Sequence, residues 1–184
     1  RWRGRLSWKS AIACCQSRNR KKGSRPKALP RWRAYLLSES DVRAAAMRLL
    51  ARREHSTLEL TRKLDQRGFD LNEVGRVLQA LCDQGLLSDR RFAEGFVRAR
   101  VSRGLGPVRI RRELAERGIG NTEAEAALSG CAPNWLAQAE RVRRKRFGRA
   151  LPTELRERAR QTRFLAYRGF AQDLIGRLLR GIDE

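Results

Sequence analysis

From about Asp41 onward, the apolar residues recur at the spacing of amphipathic helices. Val42, Ala45, Ala46, Leu49 and Leu50 fall on one stripe. Ser56-Thr57-Leu58-Glu59 reads as a capping box, in which the serine oxygen takes an orphan N–H and the glutamate reaches back to the cap. It predicts a helix that buries Leu60 and Leu64 and stops at Gly68, where a left-handed glycine lets Phe69 fold onto the last turn. Asp70-Leu71-Asn72-Glu73 opens the next helix, with Val74, Val77, Leu78 and Leu81 inward and Gly85 as its stop. Ser88 caps a helix that carries Phe92, Ala93, Phe96 and Val97. Gly104 and Gly106 bracket a short turn, and Pro107 suits the first helical position after it, where a missing N–H is harmless. Pro133 or Asn134 starts another helix, and Pro152-Thr153 a further one. No alternating run long enough for a strand interrupts this series. The predicted class is all-α.

The series repeats. Arg67-Gly68-Phe69, Arg117-Gly118-Ile119 and Arg168-Gly169-Phe170 each follow a helix and precede another, and their glycines stand 50 and 51 residues apart. A period near 50 with three helices per unit is a tandem array whose neighbours share their cores, forming an elongated, curved body. The predicted units are 41–85, 86–131 and 132–184, with residues 1–40 as a basic extension.

Charge sharpens this division. The 184 residues hold 42 Lys+Arg and 20 Asp+Glu, a net charge of +22, which points to a polyanionic partner. Residues 1–38 hold 12 of the basic residues and no acid, so the rest of the chain carries +10. The arm shows no helical or strand period, and its Arg18, Arg20, Lys21, Lys22, Gly23, Ser24, Pro26 stretch favours disorder. Two readings of it stand: a basic arm with Trp2, Trp8 and Trp32 for stacking on bases, or an irregular, non-native extension. The second is favoured here. Adjacent Cys14 and Cys15 make an awkward disulfide pair and read as free thiols of a cytoplasmic protein. No apolar stretch approaches the ~20 residues of a spanning helix, which excludes an integral membrane protein. His55 is the only histidine, and no C-x-x-C occurs, so zinc sites and Ser-His or Cys-His catalysis have almost no material. No enzyme, cofactor or small-molecule substrate is expected.

Motifs in order then point to a family. Arg52-Arg53-Glu54-His55-Ser56 with Glu59-Leu60, and Leu64 with Arg67-Gly68-Phe69, resemble the RecX family, regulators of the bacterial RecA recombinase. So do Leu87-Ser88-Asp89 with Arg91-Phe92-Ala93, and Gly104-x-Gly106-Pro107 with Ile110, Glu113-Leu114 and Arg117-Gly118-Ile119. Arg146-Phe147-Gly148 and Arg163-Phe164-Leu165 with Arg168-Gly169-Phe170 complete the set. The likeness runs from about residue 41 to the C-terminus and leaves the arm aside. It implies a non-enzymatic, all-helical, three-repeat protein. Such a protein lodges in the groove of the RecA–single-stranded DNA filament and blocks ATP hydrolysis, extension and strand exchange, with consequences for repair and the SOS response.

The candidate contact residues are basic. Arg103, Arg109, Arg111, Arg112 and Arg117 surround the second helix of unit two, and Arg143, Arg144, Lys145 and Arg146 crowd the first helix of unit three. Arg163 and Arg168 flank the third Arg-Gly motif. Arginine suits bidentate contacts with carboxylates and phosphates. The competing reading is a solvated surface with i, i+4 pairs such as Glu113 with Arg117 and Glu140 with Arg144. The predicted partners are a RecA filament and the single-stranded DNA within or near it, with duplex DNA as a further candidate; no membrane is expected. The alternative function is general DNA binding through helix-turn-helix-like units. Other features read as structure: Gly104-Leu105-Gly106 as a helix break, His55 as an exposed turn residue, and Cys82 as a core thiol. Trp135 is expected to pack at a unit junction, and Tyr167 and Phe164 between helices.

Overall fold

A computed structural model describes residues 38–131 and 134–180. The arm at residues 1–37 lies outside the described residues, and with it the readings of its tryptophans, its paired cysteines and its disorder. Unit one contains α1 (Glu39–Leu50), α2 (Thr57–Asp65) and α3 (Leu71–Asp83). Unit two contains α4 (Asp89–Ser102), α5 (Pro107–Ala115) and α6 (Asn121–Cys131). Unit three contains α7 (Trp135–Phe147), α8 (Leu155–Arg168) and α9 (Gln172–Arg180). The described residues contain no strand.

Local chemistry sets the boundaries. The oxygens of Ser56, Asp70, Ser88 and Asn134 each accept a backbone N–H from the first turn of α2, α3, α4 and α7. Such caps satisfy donors that a helix start leaves orphaned. Two expectations need correction. Glu59 does not reach back to its cap; its Oε2 takes Arg53 and the ring of His55, both at 3.0 Å. The last long helix begins at Leu155 rather than at Pro152, because residues 148–154 form a loop held from inside the unit.

All three Arg-Gly turns close their helices in the same way. Gly68, Gly118 and Gly169 are left-handed, and the N–H of the next residue donates to the carbonyl of Leu64, Leu114 or Leu165. Ile119 and Phe170 are buried beneath them, and Phe69 is half-buried.

These turns also join the units. The Ser56 hydroxyl, already accepting from Glu59, donates to the carbonyl of Arg117 at 2.8 Å. Arg62 donates to the Glu116 carbonyl at 3.2 Å. Gly106 and Val108 donate their N–H groups to the carbonyls of Arg168 and Gly169 at 2.9 and 3.0 Å. In each case the orphan carbonyls ending the second helix of one unit meet the second helix of the unit before it, at its start except for Arg62, which reaches over from the last turn of α2. Each such bond is worth about 1 kcal/mol net, and an unmet buried group costs about 1–3 kcal/mol. The glycine pair at the second junction follows from this approach. A Cβ on Gly106 would stand 2.5 Å from the Gly169 carbonyl carbon, and one on Gly169 would stand 2.6 Å from the Arg109 nitrogen. Gly104-Leu105-Gly106 therefore breaks the helix, as expected, and also admits the backbone of the next unit.

Each unit has its own apolar core. Val42, Leu49, Leu60, Leu64, Val74, Leu78 and Leu81 close unit one with their neighbours. Phe92, Val97, Ile110, Leu114 and Leu128 anchor unit two. Unit three relies on Ala139, Leu165, Phe170, Ile175, Leu178 and Leu179. Trp135 packs against the cores of both units two and three, as its position predicted. Cys82 packs on the unit-one core, and burial raises its thiol pKa.

Candidate nucleic-acid interface

The second helices and the Arg-Gly turns place the candidate arginines in three kinds of surroundings. Some hold the protein together. Arg117 donates to the Glu113 carbonyl at 2.6 Å, pairs with Glu59 of unit one at 3.4 Å, and lies over the Phe96 ring at 4.5 Å. Arg100 covers the same ring at 4.3 Å and donates to Glu113 at 2.7 Å. Arg168 crosses the second junction to donate to the Arg103 carbonyl at 3.0 Å. Arg143 is buried, with 1% of its surface exposed. Its guanidinium donates to the carbonyls of Ala150 and Arg149 at 2.8 and 3.0 Å and so pins the loop between α7 and α8. Its charge lies inside the unit and not on the surface.

Others share their charge with an acid. Arg109 donates to Glu113 at 3.0 Å and to the Tyr167 carbonyl at 3.3 Å. Arg111 pairs with Glu125, Arg112 lies 3.7 Å from Glu116, and Arg144 pairs with Glu140. The Glu140–Arg144 pair matches the i, i+4 expectation. Glu113 instead gives its carboxylate to Arg100 and Arg109, leaving Arg117 its backbone oxygen. Burial pushes the Glu113 carboxyl upward, but hydrogen bonds from Arg109 and Arg100 outweigh it and leave the pKa below its ordinary value.

The third group faces solvent. Arg103, Lys145, Arg146 and Arg163 are exposed, and none has an acid partner among the described residues. Arg149, Arg156 and Arg158, which motif reading passed over, stand beside them in the same condition. Charge counted unit by unit would have found these. Residues 38–87 hold eight Lys+Arg and eight Asp+Glu; residues 88–131 hold nine and six; residues 132–180 hold thirteen and four. The excess rises from zero through three to nine. Only Arg144 and Arg160 of unit three form ion pairs among the described residues. A surface of this kind attracts phosphates with a strong dependence on salt.

Two aromatic and imidazole assignments also change. His55 is buried, with 2% exposure, because the unit junction closes over the α2 cap. Burial lowers its pKa, partly offset by the hydrogen bond to Glu59 and reinforced by Arg53 and Lys63. Phe164 packs edge-on against Phe147 at 5.2 Å, as expected. Tyr167 does not pack between helices; it is 76% exposed.

Fold and surface together define a modular helical protein: three shared-architecture units with a basic C-terminal face. Descriptions of the RecX first, second and third three-helix domains match residues 43–81, 88–128 and 134–179. "Regulatory protein RecX" of Pseudomonas fluorescens is 49% identical over 142 residues, 77% of this chain and 92% of that protein. The protein of the same name from Halorhodospira halophila is 50% identical over 143 residues, 78% of this chain and 89% of that protein. The crystal structure of RecX from Lactobacillus salivarius superposes with a TM-score of 0.67 at 22% identity, covering 79% of this chain and 96% of that one. The chain belongs to the RecX family of regulatory proteins. Among the described residues, no helix is long and apolar enough to cross a membrane.

Proposed function

We propose that the chain is a non-enzymatic cytoplasmic regulator that docks on the RecA–single-stranded DNA filament. There it restrains ATP hydrolysis, filament extension and strand exchange, and so modulates recombination, repair and the SOS response. Family membership across all three units carries this reading. The uneven charge supports a division of contacts. Lys145, Arg146, Arg163 and Arg103 face phosphate, while Arg111, Arg112 and Arg144 exchange their acids for filament groups. Arg109, Arg117 and Arg168 keep the units in register, while Arg143 holds the loop between α7 and α8 within unit three.

The test is a RecA ATPase titration on single-stranded DNA, run beside direct binding to the same DNA without RecA. Inhibition at concentrations that leave free DNA mostly unbound supports the filament as the target. Inhibition that appears only once the protein coats the DNA would sink it. That second outcome belongs to the rival reading, a general DNA-binding protein with helix-turn-helix-like units, which the basic excess of unit three favours.

A further inference from the structure

Tyr167 stands out among the described aromatic rings: it alone is exposed, while every Phe and Trp beside it is at least half-buried. An exposed ring of that size in a strongly charged surface buries little apolar area for the fold. The ring is nevertheless held in place. Arg109 of α5 lies over it with its guanidinium carbon 5.3 Å from the ring centroid. That guanidinium is fixed in turn by Glu113 and by the carbonyl of Tyr167 itself. The side chain is thus clamped on one face by a neighbouring unit, and the opposite face looks to solvent.

Its surroundings are cationic. Arg163 lies one turn earlier on the same face of α8 and has no acid partner among the described residues. Arg112 lies one turn beyond Arg109 on α5, exposed and only loosely paired with Glu116 at 3.7 Å. A flat, pre-positioned π face with unpaired or weakly paired guanidiniums one turn away on α8 and on α5 fits one ligand chemistry well: a nucleobase attached to its phosphates. Bases in a duplex are stacked on one another and cannot offer a free face; single-stranded bases can.

We infer that Tyr167 is a stacking platform for one base of a single-stranded nucleic acid, with Arg109 behind the ring and Arg163 and Arg112 receiving the flanking phosphates. This rests on the reading above for the polymer met in the filament, but it is a property of the chain alone. The residue acts at the seam of units two and three, where Arg109 of α5 holds its ring.

The experiment uses the full chain and two fluorescent strands of about 12 nucleotides. One is oligothymidylate, and the other has the same backbone with abasic positions throughout. Stacking contributes about 1–3 kcal/mol per base, so Tyr167→Ala should weaken binding to the thymidylate strand by roughly tenfold. Binding to the abasic strand should stay unchanged, as should the salt slope on both strands. Tyr167→Trp should restore the thymidylate affinity, and thermal melts should differ only slightly among the three proteins, because the exposed ring gives the fold little beyond its contact with Arg109. Equal losses on both strands, or no loss on either, would overturn the assignment. A RecA ATPase titration with the unaltered chain separates this from the functional reading. If that chain fails to inhibit RecA but shows the base-dependent loss at Tyr167, the stacking site stands and the filament target falls.

Discussion

Units one and three have the same three-helix plan and opposite priorities. Unit one is electrically neutral over residues 38–87, and eleven buried apolar residues close its core. Unit three carries nine excess positive charges over residues 132–180, and six buried apolar residues close its core among the described residues. The missing apolar positions are filled by polar side chains. Gln161 occupies the place taken by Leu60 in unit one and Ile110 in unit two, four residues before the conserved-phase leucine of each second helix. Arg143 lies on the buried face of α7 beside Ala139. Among the described residues, its Nε and the Oε1 of Gln161 have no hydrogen-bond partner. The comparison teaches that one scaffold can spend its sequence on a core or on a surface. Unit one anchors the fold, and unit three accepts a weaker interior to display charge.

The largest effect should come from detaching unit three. Gly169→Val forces a β-branched residue into a left-handed conformation and places its Cβ against the backbone of α5. It should cost more than about 3 kcal/mol and separate the melting of unit three from the rest by calorimetry. Gly118→Ala meets the Leu58 side chain, its Cβ at 2.8 Å, and not backbone at the other junction, so its cost should stay below that of Gly169→Val, at about 2–3 kcal/mol. Equal costs would erase the distinction between a backbone-built and a side-chain-built junction.

Next comes the interior. Arg143→Ala strips two loop carbonyls of their donors and should cost about 2–4 kcal/mol in urea unfolding. Gln161→Leu should move the other way, gaining about 1 kcal/mol, because it restores the apolar residue of the sister units and removes an unpaired buried oxygen. A loss on Gln161→Leu would mean that the polar interior of unit three is not a weakness.

The surface gives the third contrast. Replacing Lys145, Arg146 and Arg163 with Gln should lower the log–log salt slope for single-stranded DNA by about 2. The same change at exposed Arg48, Arg52 and Arg76 of unit one should leave the slope nearly unchanged. Matching effects would spread the interface over the whole array.

The smallest effect concerns pH. The lowered pKa of His55 means that the unfolded chain binds its proton more readily than the folded one. Stability from the neutral, buried imidazole is therefore complete above the ordinary value of about 6.5. It declines as pH falls below that value toward the lower folded one. Denaturant midpoints at two pH values on either side of it should diverge for the unaltered chain and converge for His55→Gln.

Most of the fold was legible because helix stripes, caps and glycine stops are local. The caps at Ser56, Asp70 and Ser88 and the helix stops at the three Arg-Gly turns form within a few residues of themselves, and each appears where its spacing put it. The fates of individual arginines were not local. Arg117 and Arg168 serve a carboxylate 58 residues away and a carbonyl 65 residues away, in Glu59 and Arg103. No run of neighbours reveals this. His55 was misread for a related reason: it is buried beside a junction, where the adjacent Ser56 bonds to the Arg117 carbonyl of another unit. Arg143 did leave a trace, since it falls four residues after Ala139 on the inward stripe. Tyr167 left none, because an exposed and a packed aromatic look alike along a helix.

The two junctions have one more property. At both, the end of a later second helix meets the beginning of an earlier one, so α8, α5 and α2 succeed each other in a single sense. The array is therefore a polar object, with a charged tail and a neutral head that cannot be exchanged by turning it round. A nucleic-acid strand also has a direction. The two can align or oppose, and these arrangements are different complexes in which different units lead.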